Sequence, residues 1–148
     1  MKIGGPPVNK LLIAITILLL SACGQQKVDN VDSLWKHKTE YVGDNSKVIN
    51  ILSEAGAKDI GDYKIKIESD KKPYGLKVNY ENVKDMDPEQ LEKLAAVTMG
   101  LVGNLERMQI NADGKDYDYT IDEINKKFNK DVKDLSKDKQ KLKSFLEK

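Results

Sequence analysis

Alternating apolar and charged residues predict two pairs of β-strands in this chain. The alternation runs through 63–68 and again through 76–81, with the polar segment SDKKPYG between them, which is typical of a hairpin with one buried face. A second hairpin surrounds Asp113-Gly114, the residue pair that a two-residue type I′ turn favours. The facing pairs expected for that turn are Ala112 with Lys115, Ile110 with Tyr117, and Met108 with Tyr119. Apolar side chains would thus meet across the strands, as a buried face requires.

Apolar residues at helical spacing predict helices before and between the hairpins. The first helix begins at Asp44 and ends at Gly56, and its apolar face consists of Val48, Ile51, Leu52 and Ala55. The second begins at Asp87-Pro88, an N-cap followed by proline at the first helical position. Its apolar stripe continues to Met108, so we expect the central buried helix here. Gly100 and Gly103 would each cost about 1 kcal/mol of helix propensity, which predicts that another element approaches closely there.

The end of the chain adds two more predicted helices. Thr120 and Glu123 match a capping box and begin a helix that continues through Phe128. Ser136 is the expected cap of a final helix, whose apolar residues are Leu142, Phe145 and Leu146. The predicted order is therefore α-β-β-α-β-β-α-α. We expect an α+β fold with a four-stranded antiparallel sheet from two hairpins and helices packed on one face.

The first 22 residues have the features of a bacterial lipoprotein signal peptide. Lys2 and Lys10 give a positive start, and the apolar run 11–20 makes only about 15 Å of helix, half the thickness of a hydrocarbon core. The run ends in Leu-Ser-Ala-Cys, which resembles a lipobox whose cysteine, Cys23, would receive a lipid. The alternative is an ordinary signal peptide with a leftover cysteine. We expect a signal peptide at 1–22, a lipidated cysteine, tether and leading segment at 23–43, and one domain at 44–148.

The charge of the chain after such cleavage limits its partners. Without Lys2 and Lys10, 23 of the 25 basic groups remain against 24 acidic ones, a net charge of −1. That balance argues against nucleic acid as a partner and against a polybasic membrane patch. The predicted partners are the lipid bilayer, through Cys23, and a membrane or envelope protein at the extracytoplasmic face of the cell membrane. The excess of lysine over the single Arg107 indicates a Gram-positive bacterium with AT-rich genes.

The segment YVGDNSKV at 41–48 is the candidate binding site. Tyr41, Asp44, Asn45 and Ser46 bring together an aromatic ring and three polar groups that could hold a ligand. The alternative is a helix cap, in which the Asp44 carboxylate accepts from the backbone N–H of Ser46 or Lys47. A cap does not require Tyr41, Asn45 or Ser46, so those residues are where a site is to be sought.

The other polar residues form no catalytic constellation and predict no cofactor. His37 is the single histidine and lies between two lysines, which favours an exposed bystander over a catalytic base. Carboxylates surround Gly114 in 111–118, but Gln109 and Thr120 occupy the anchoring positions of an EF-hand loop aligned there. The hairpin is therefore the preferred interpretation, with a weak surface calcium site as the alternative.

Four segments of the chain resemble the bacterial family designated domain of unknown function 4825. They are YVGDNSKV at 41–48, KKPYGLKVNYE at 71–81, VGNLERMQI at 102–110 and FNKDVKDLSKDKQKLKSFL at 128–146. The resemblance covers residues 31–148 and implies a domain of small lipoproteins that is also appended outside membrane-embedded metallopeptidases. It implies an extracytoplasmic sensing or interaction role and carries over no catalytic residues.

These observations predict a membrane-anchored, non-enzymatic binding or sensory module of the cell envelope. Its contact surface would be the polar sheet face or the surface around Tyr41–Ser46. The alternative is a small envelope hydrolase or lyase that uses Asp44 and Ser46.

Overall fold

The computed structural model describes residues 30–147, which fold into one mixed sheet and the helices that cover it. In chain order the elements are α1 over 30–37, α2 Asn45–Glu54, α3 Ala57–Ile60, β1 Tyr63–Glu68, β2 Gly75–Tyr80, α4 Pro88–Leu101, β3 Arg107–Ala112, β4 Lys115–Thr120, α5 Ile121–Phe128, the 3₁₀ helix η1 Val132–Ser136 and α6 Lys139–Glu147. The α+β class predicted from the sequence is confirmed. The predicted signal peptide at 1–22 and the lipidated Cys23 lie outside the described residues.

Both predicted hairpins are present in the sheet, whose strand order is β1-β2-β3-β4. β1 pairs antiparallel with β2, and β3 pairs antiparallel with β4. Asp113 and Gly114 have φ angles of 56° and 78°, the positive values that a type I′ turn requires. The register pairs Ala112 with Lys115, Ile110 with Tyr117 and Met108 with Tyr119. The register predicted from the Asp-Gly turn is therefore confirmed.

The relation between the two hairpins differs from the prediction. β2 and β3 are parallel, with Leu76 beside Met108 and Val78 beside Ile110, so the sheet is mixed rather than wholly antiparallel. The reason is α4, which follows β2 and carries the chain back to the end of the sheet where β2 began. Parallel strands that are neighbours in a sheet are usually joined by such a crossover helix.

The core lies between α4 and the inner face of the sheet. The inner residues Leu76, Val78, Met108 and Ile110 are buried, whereas the outer-facing Lys64, Lys66, Asn79, Asp116 and Asp118 are exposed. The helices therefore pack on one face, as predicted. The buried residues of α4 are Leu91, Leu94, Ala95, Ala96, Val97, Thr98, Met99, Gly100 and Leu101. Val31, Leu34 and Val42 also belong to this core, so the described part of the leading segment packs against the domain.

The central helix is shorter than its apolar stripe suggests. It ends at Leu101, and Met108 belongs to β3 instead. The backbone becomes extended at Val102, with φ −111° and ψ 104°, because this residue pairs with Thr39 in an isolated parallel bridge. The close approach predicted at the two glycines is confirmed: a Cβ on Gly100 would lie 2.5 Å from the Val132 carbonyl oxygen, and one on Gly103 would lie 3.2 Å from the Cα of Glu40.

The structure contains the predicted helix caps at three of the four positions. Asp44 and Asp87 accept from backbone N–H groups of the first turn, and Thr120 forms both halves of the capping box. The cap predicted at Ser136 is wrong, because Ser136 lies in η1 and its hydroxyl donates to the Lys133 carbonyl oxygen. The carboxylate before α6 is that of Asp138, which accepts from the Gln140 N–H at 2.9 Å.

Candidate functional site

Segment 39–42 is held against the chain that leaves α4. The Thr39 N–H donates to the Leu101 carbonyl oxygen at 2.9 Å, and the Gly103 N–H donates to the Thr39 carbonyl oxygen at 2.8 Å. The Asn104 N–H donates to the Glu40 carbonyl oxygen at 3.0 Å. Three backbone hydrogen bonds thus join two short segments that are distant in sequence, and they fix the course of the chain immediately before Tyr41.

Tyr41 is exposed on this fixed backbone. Its side chain is 69% exposed, and among the described residues only Ile49 is another large apolar side chain classed as exposed. The next residue, Val42, is fully buried, and its N–H donates to the Asn104 side-chain oxygen at 2.7 Å. The chain therefore presents the Tyr41 ring to solvent from a position whose two flanks are anchored.

An open cavity of about 380 Å³ lies beside Tyr41. We call it the Tyr41 groove, and its lining consists of Lys38, Thr39, Glu40, Tyr41, Asp44, Lys47, Leu101 and Ser136. Lys38 is positioned by two contacts: its Nζ donates to the Ser136 carbonyl oxygen at 2.9 Å and lies 3.5 Å from the centre of the Trp35 ring. Both signs of charge are present around the ring, so the groove suits a polar partner surface with an apolar centre.

The groove contains two of the four residues that the sequence proposed for a site. Tyr41 and Asp44 line it, whereas Asn45 and Ser46 are exposed on the first turn of α2 and do not. Lys47 also lines the groove but was not among the predicted site residues. It lies three residues after Asp44, a spacing that places both side chains on one face. Leu101 and Ser136 come from elements far along the chain and carry no local signal.

The polar groups of 41–48 have structural uses in addition to lining the groove. The Asp44 carboxylate accepts from the Lys47 N–H at 3.4 Å, which confirms the predicted N-cap. Ser46 accepts a hydrogen bond from the Asn50 side chain at its carbonyl oxygen, at 2.9 Å. The His37 Nδ1 atom lies 2.8 Å from the Ser33 carbonyl oxygen of its own helix. None of these contacts pairs the Ser46 hydroxyl with a base.

Replacing Asp44 with alanine should lower the free energy of unfolding by about 1 kcal/mol, because the helix loses its N-cap acceptor. Asp44→Asn should retain most of the stability, since asparagine caps equally well. Urea unfolding of the full chain in nonionic detergent, followed by circular dichroism, measures both. A loss of similar size in the two variants would contradict the cap and would indicate that the negative charge itself matters.

Lys133 binds the chain at the end of α4, with which segment 39–42 pairs. This half-buried side chain comes from η1, and its Nζ donates to the carbonyl oxygens of Met99, Val102 and Leu105 at 2.6, 2.8 and 2.6 Å. Burial lowers the pKa of Lys133 to about 8, and the carboxylates of Glu106, Asp131 and Glu40 oppose that shift. One ammonium group therefore binds three carbonyl oxygens at and after the end of α4. It thereby fixes the segment 101–104, with which 39–42 pairs. No local pattern in the sequence distinguishes Lys133 from the other lysines near the end of the chain.

The outer face of the sheet is the other predicted contact surface. The Arg107 Nη1 atom lies 2.7 Å from the Glu68 carboxylate, and Arg107 Nε donates to the Pro73 carbonyl oxygen at 2.9 Å. The guanidinium crosses over Gly75, where a Cβ would approach it to 2.5 Å. The hydrogen bond from Arg107 lowers the pKa of Glu68, and the nearby Lys77 acts in the same direction. This contact ties β1 to β3 across β2 and explains the position of the single arginine.

The acidic residues of β4 are paired on the same face. Gln109 donates to Asp118 at 2.8 Å, and Asn111 donates to Asp116 at 2.7 Å. Within residues 30–147, no group of three or more histidine, cysteine or acidic side chains is arranged to hold a metal ion. The hydrogen bonds to Asp116 and Asp118 form cross-strand pairs between β3 and β4.

The fold and these surfaces define a small α+β domain with a polar sheet face and a groove beside its first helices. The profile of the family described as "Domain of unknown function (DUF4825)" matches residues 34–126, more than half of the chain. The chain belongs to this family, which confirms the resemblance at 41–48, 71–81 and 102–110. The fourth segment, 128–146, lies beyond the matched range. No curated protein and no solved structure gives a significant match. Among the described helices, none combines the length and apolar character needed to cross a bilayer.

Proposed function

We propose that this protein is a lipid-anchored binding or sensory module that acts at the extracytoplasmic face of the cell membrane and engages a membrane or envelope protein. The observation that carries the proposal is the exposed Tyr41 ring, held on an anchored backbone at the edge of a groove with both signs of charge. Anchoring to the bilayer would come from Cys23, since the lipobox-like segment precedes it directly.

The geometry at Tyr41 supports binding for a physical reason. An aromatic side chain supplies a large contact area with few rotatable bonds, so little conformational entropy is lost when a partner covers it. The hydrogen bonds of Thr39, Glu40 and Val42 fix the backbone before binding, which lowers the ordering cost further. Lys38, Glu40 and Lys47 would then form the polar rim around the ring.

Capture of the partner should depend on Tyr41. The full chain would be expressed in its native membrane, crosslinked to its neighbours and purified, and the captured membrane proteins would be quantified by mass spectrometry. Tyr41→Ala should reduce the specific partner by about tenfold or more, as expected for an aromatic anchor. Asn45→Ala is the matched control, because Asn45 is exposed nearby but does not line the groove. Equal capture by the wild type and Tyr41→Ala would overturn the assignment of this surface.

Lipidation is tested separately from partner binding. A labelled fatty acid should be incorporated into the wild-type chain and not into Cys23→Ala, because the thiol of Cys23 is the single cysteine sulfur in the sequence. The label is measured in the protein band after electrophoresis, with equal amounts of protein confirmed by immunoblot. Equal labelling of both chains would refute the anchor.

A further inference from the structure

β1 is an edge strand, and no other strand within residues 30–147 pairs with its outer side. The sheet order places it at the end of the sheet, with β2 as its neighbour. The far side of an edge strand presents backbone N–H and C=O groups that can pair with another strand. β1 is six residues long, a length that a short extended peptide can match. The edge therefore offers a template for strand addition.

An open groove of about 710 Å³ lies against this edge. Its apolar part consists of Ile49 from α2 and Tyr63 and Ile65 from β1. Ile49 is 40% exposed, and Tyr63 and Ile65 are only partly buried, although their counterparts on the central strands are buried. We call this surface, with the free side of β1, the β1 groove. An added strand could cover these apolar side chains.

The rim of the β1 groove is basic. Lys58, Lys64 and Lys84 line it and are exposed. Asp62 is the acidic member of the lining, and its carboxylate accepts from the Asn82 side chain at 2.9 Å. The Lys64 side chain is 79% exposed, and its nearest acidic partner, Glu81, is 4.0 Å away. The local charge thus favours an acidic partner and disfavours a basic one.

We propose that the β1 groove binds an extended, acidic segment of a partner protein, which adds to the sheet as a fifth strand beside β1. Lys64 alternates with Tyr63 and Ile65 along β1, so the segment would alternate acidic with apolar side chains. Its apolar side chains would cover Ile49 and Ile65. This contact lies on a different surface from the Tyr41 groove and does not depend on the function proposed there.

Lysines on an edge strand also prevent unwanted pairing, but that role alone does not require an exposed Ile49 beside the edge. The competing occupant is β4 of a second copy, because its outer face carries Asp116 and Asp118. Those carboxylates already accept from Asn111 and Gln109. α5 follows β4 directly, so a second copy would have to bring its helices against the groove. A separate extended segment meets neither obstacle.

The test uses the full chain in nonionic detergent and a fluorescent peptide of alternating glutamate and valine, about six residues long. Fluorescence anisotropy should show saturable binding that weakens as salt is added. The same peptide with lysine in place of glutamate is the control and should bind at least about tenfold more weakly. Amide hydrogen exchange at 63–68 should slow on binding, because strand addition protects the free edge of β1.

Variants locate the binding surface. Lys58→Glu/Lys64→Glu should weaken peptide binding by about tenfold or more, and Ile49→Asn should weaken it without loss of the fold, since Ile49 is already exposed. Lys126→Glu is the matched charge control, because Lys126 is exposed on α5, which follows the opposite edge strand. Tyr41→Ala should leave peptide binding unchanged, because the two grooves share no lining residue. A negative result for the β1 groove can therefore be distinguished from a negative result for the Tyr41 groove.

Three results would overturn the proposal. The first is no binding of the glutamate peptide up to about 1 mM, which corresponds to about 4 kcal/mol of binding free energy. The second is binding without slower exchange at 63–68. The third is self-association of the chain that Asp116→Lys/Asp118→Lys abolishes, since this would assign the edge to a second copy.

Discussion

Replacing Lys133 with methionine should lower the free energy of unfolding by about 3 kcal/mol. Methionine approximates the length of the lysine side chain but has no N–H group. The carbonyl oxygens of Met99, Val102 and Leu105 would each lose the hydrogen bond that the ammonium now donates. The positive charge at the carboxyl end of α4, which stabilises the helix dipole, would be lost as well.

The effect of Lys133 on stability should also depend on pH. The pKa of Lys133 is lowered to about 8 in the folded chain, against an ordinary value of 10.5, mainly because the side chain is buried. Between these values the unfolded chain binds a proton that the folded chain lacks, so the free energy of unfolding rises with pH. The stability difference between wild type and Lys133→Met should therefore grow from pH 8 to pH 10, by up to about 2 kcal/mol, and be constant below pH 7.

Urea unfolding of both chains at several pH values measures this difference. Lys126→Met is the matched control, because Lys126 is exposed and its removal should change the stability little at any pH. A loss below about 1 kcal/mol for Lys133→Met would contradict the structural role of the three hydrogen bonds. A difference that does not vary above pH 8 would show that the three carbonyls hold the proton on Lys133 despite its burial.

The second large effect is expected for Gly100→Ala, which should lower the free energy of unfolding by about 2 kcal/mol. The added Cβ would lie 2.5 Å from the Val132 carbonyl oxygen and 3.0 Å from Leu135 Cδ1. Because the first of these atoms belongs to the backbone of η1, the clash cannot be relieved by rotating a side chain. In an exposed helix the same substitution would stabilise by about 1 kcal/mol, so the sign of the change reports the contact.

Gly43→Ala provides the control for that measurement. A Cβ at Gly43 would meet no atom within 4 Å, and the stability should change by less than about 0.5 kcal/mol. Thermal unfolding of the two variants and the wild type, under identical detergent conditions, gives the comparison. Equal melting temperatures for Gly100→Ala and Gly43→Ala would mean that η1 does not pack tightly on α4.

The elements that could be predicted from the sequence are those whose cause is local. Asp113-Gly114 selects the turn, and the turn sets the register of β3 and β4. Asp87 and Thr120 start their helices through hydrogen bonds within one turn of the chain. Gly100 correctly indicated that another element, η1, approaches α4 closely. Glycine destabilises a helix, so its presence there indicates a position where a larger side chain would not fit.

The candidate site was only partly predictable, because some of its residues come from distant parts of the chain. Tyr41 and Asp44 belong to one short segment whose composition stands out, so the sequence could point to them. Lys38 reaches the groove because its Nζ bonds to Ser136, a residue 98 positions away. Such a contact depends on how separate elements pack, and neither residue alone carries a sign of it.

By itself, the sequence determined the strands, the hairpin register, the starts of α2, α4 and α5, and the α+β class. Hydrogen bonds and side-chain periodicity within a few residues are sufficient for these. It also carries the lipobox-like segment before Cys23. Only the tertiary structure decided that β2 and β3 run parallel and that α4 ends at Leu101. It likewise decided that Lys133 donates to three carbonyl oxygens at and just after the end of α4, beside the segment that pairs with 39–42. These outcomes depend on pairings between residues far apart in the chain, whose free energy appears only when the separate elements have packed together.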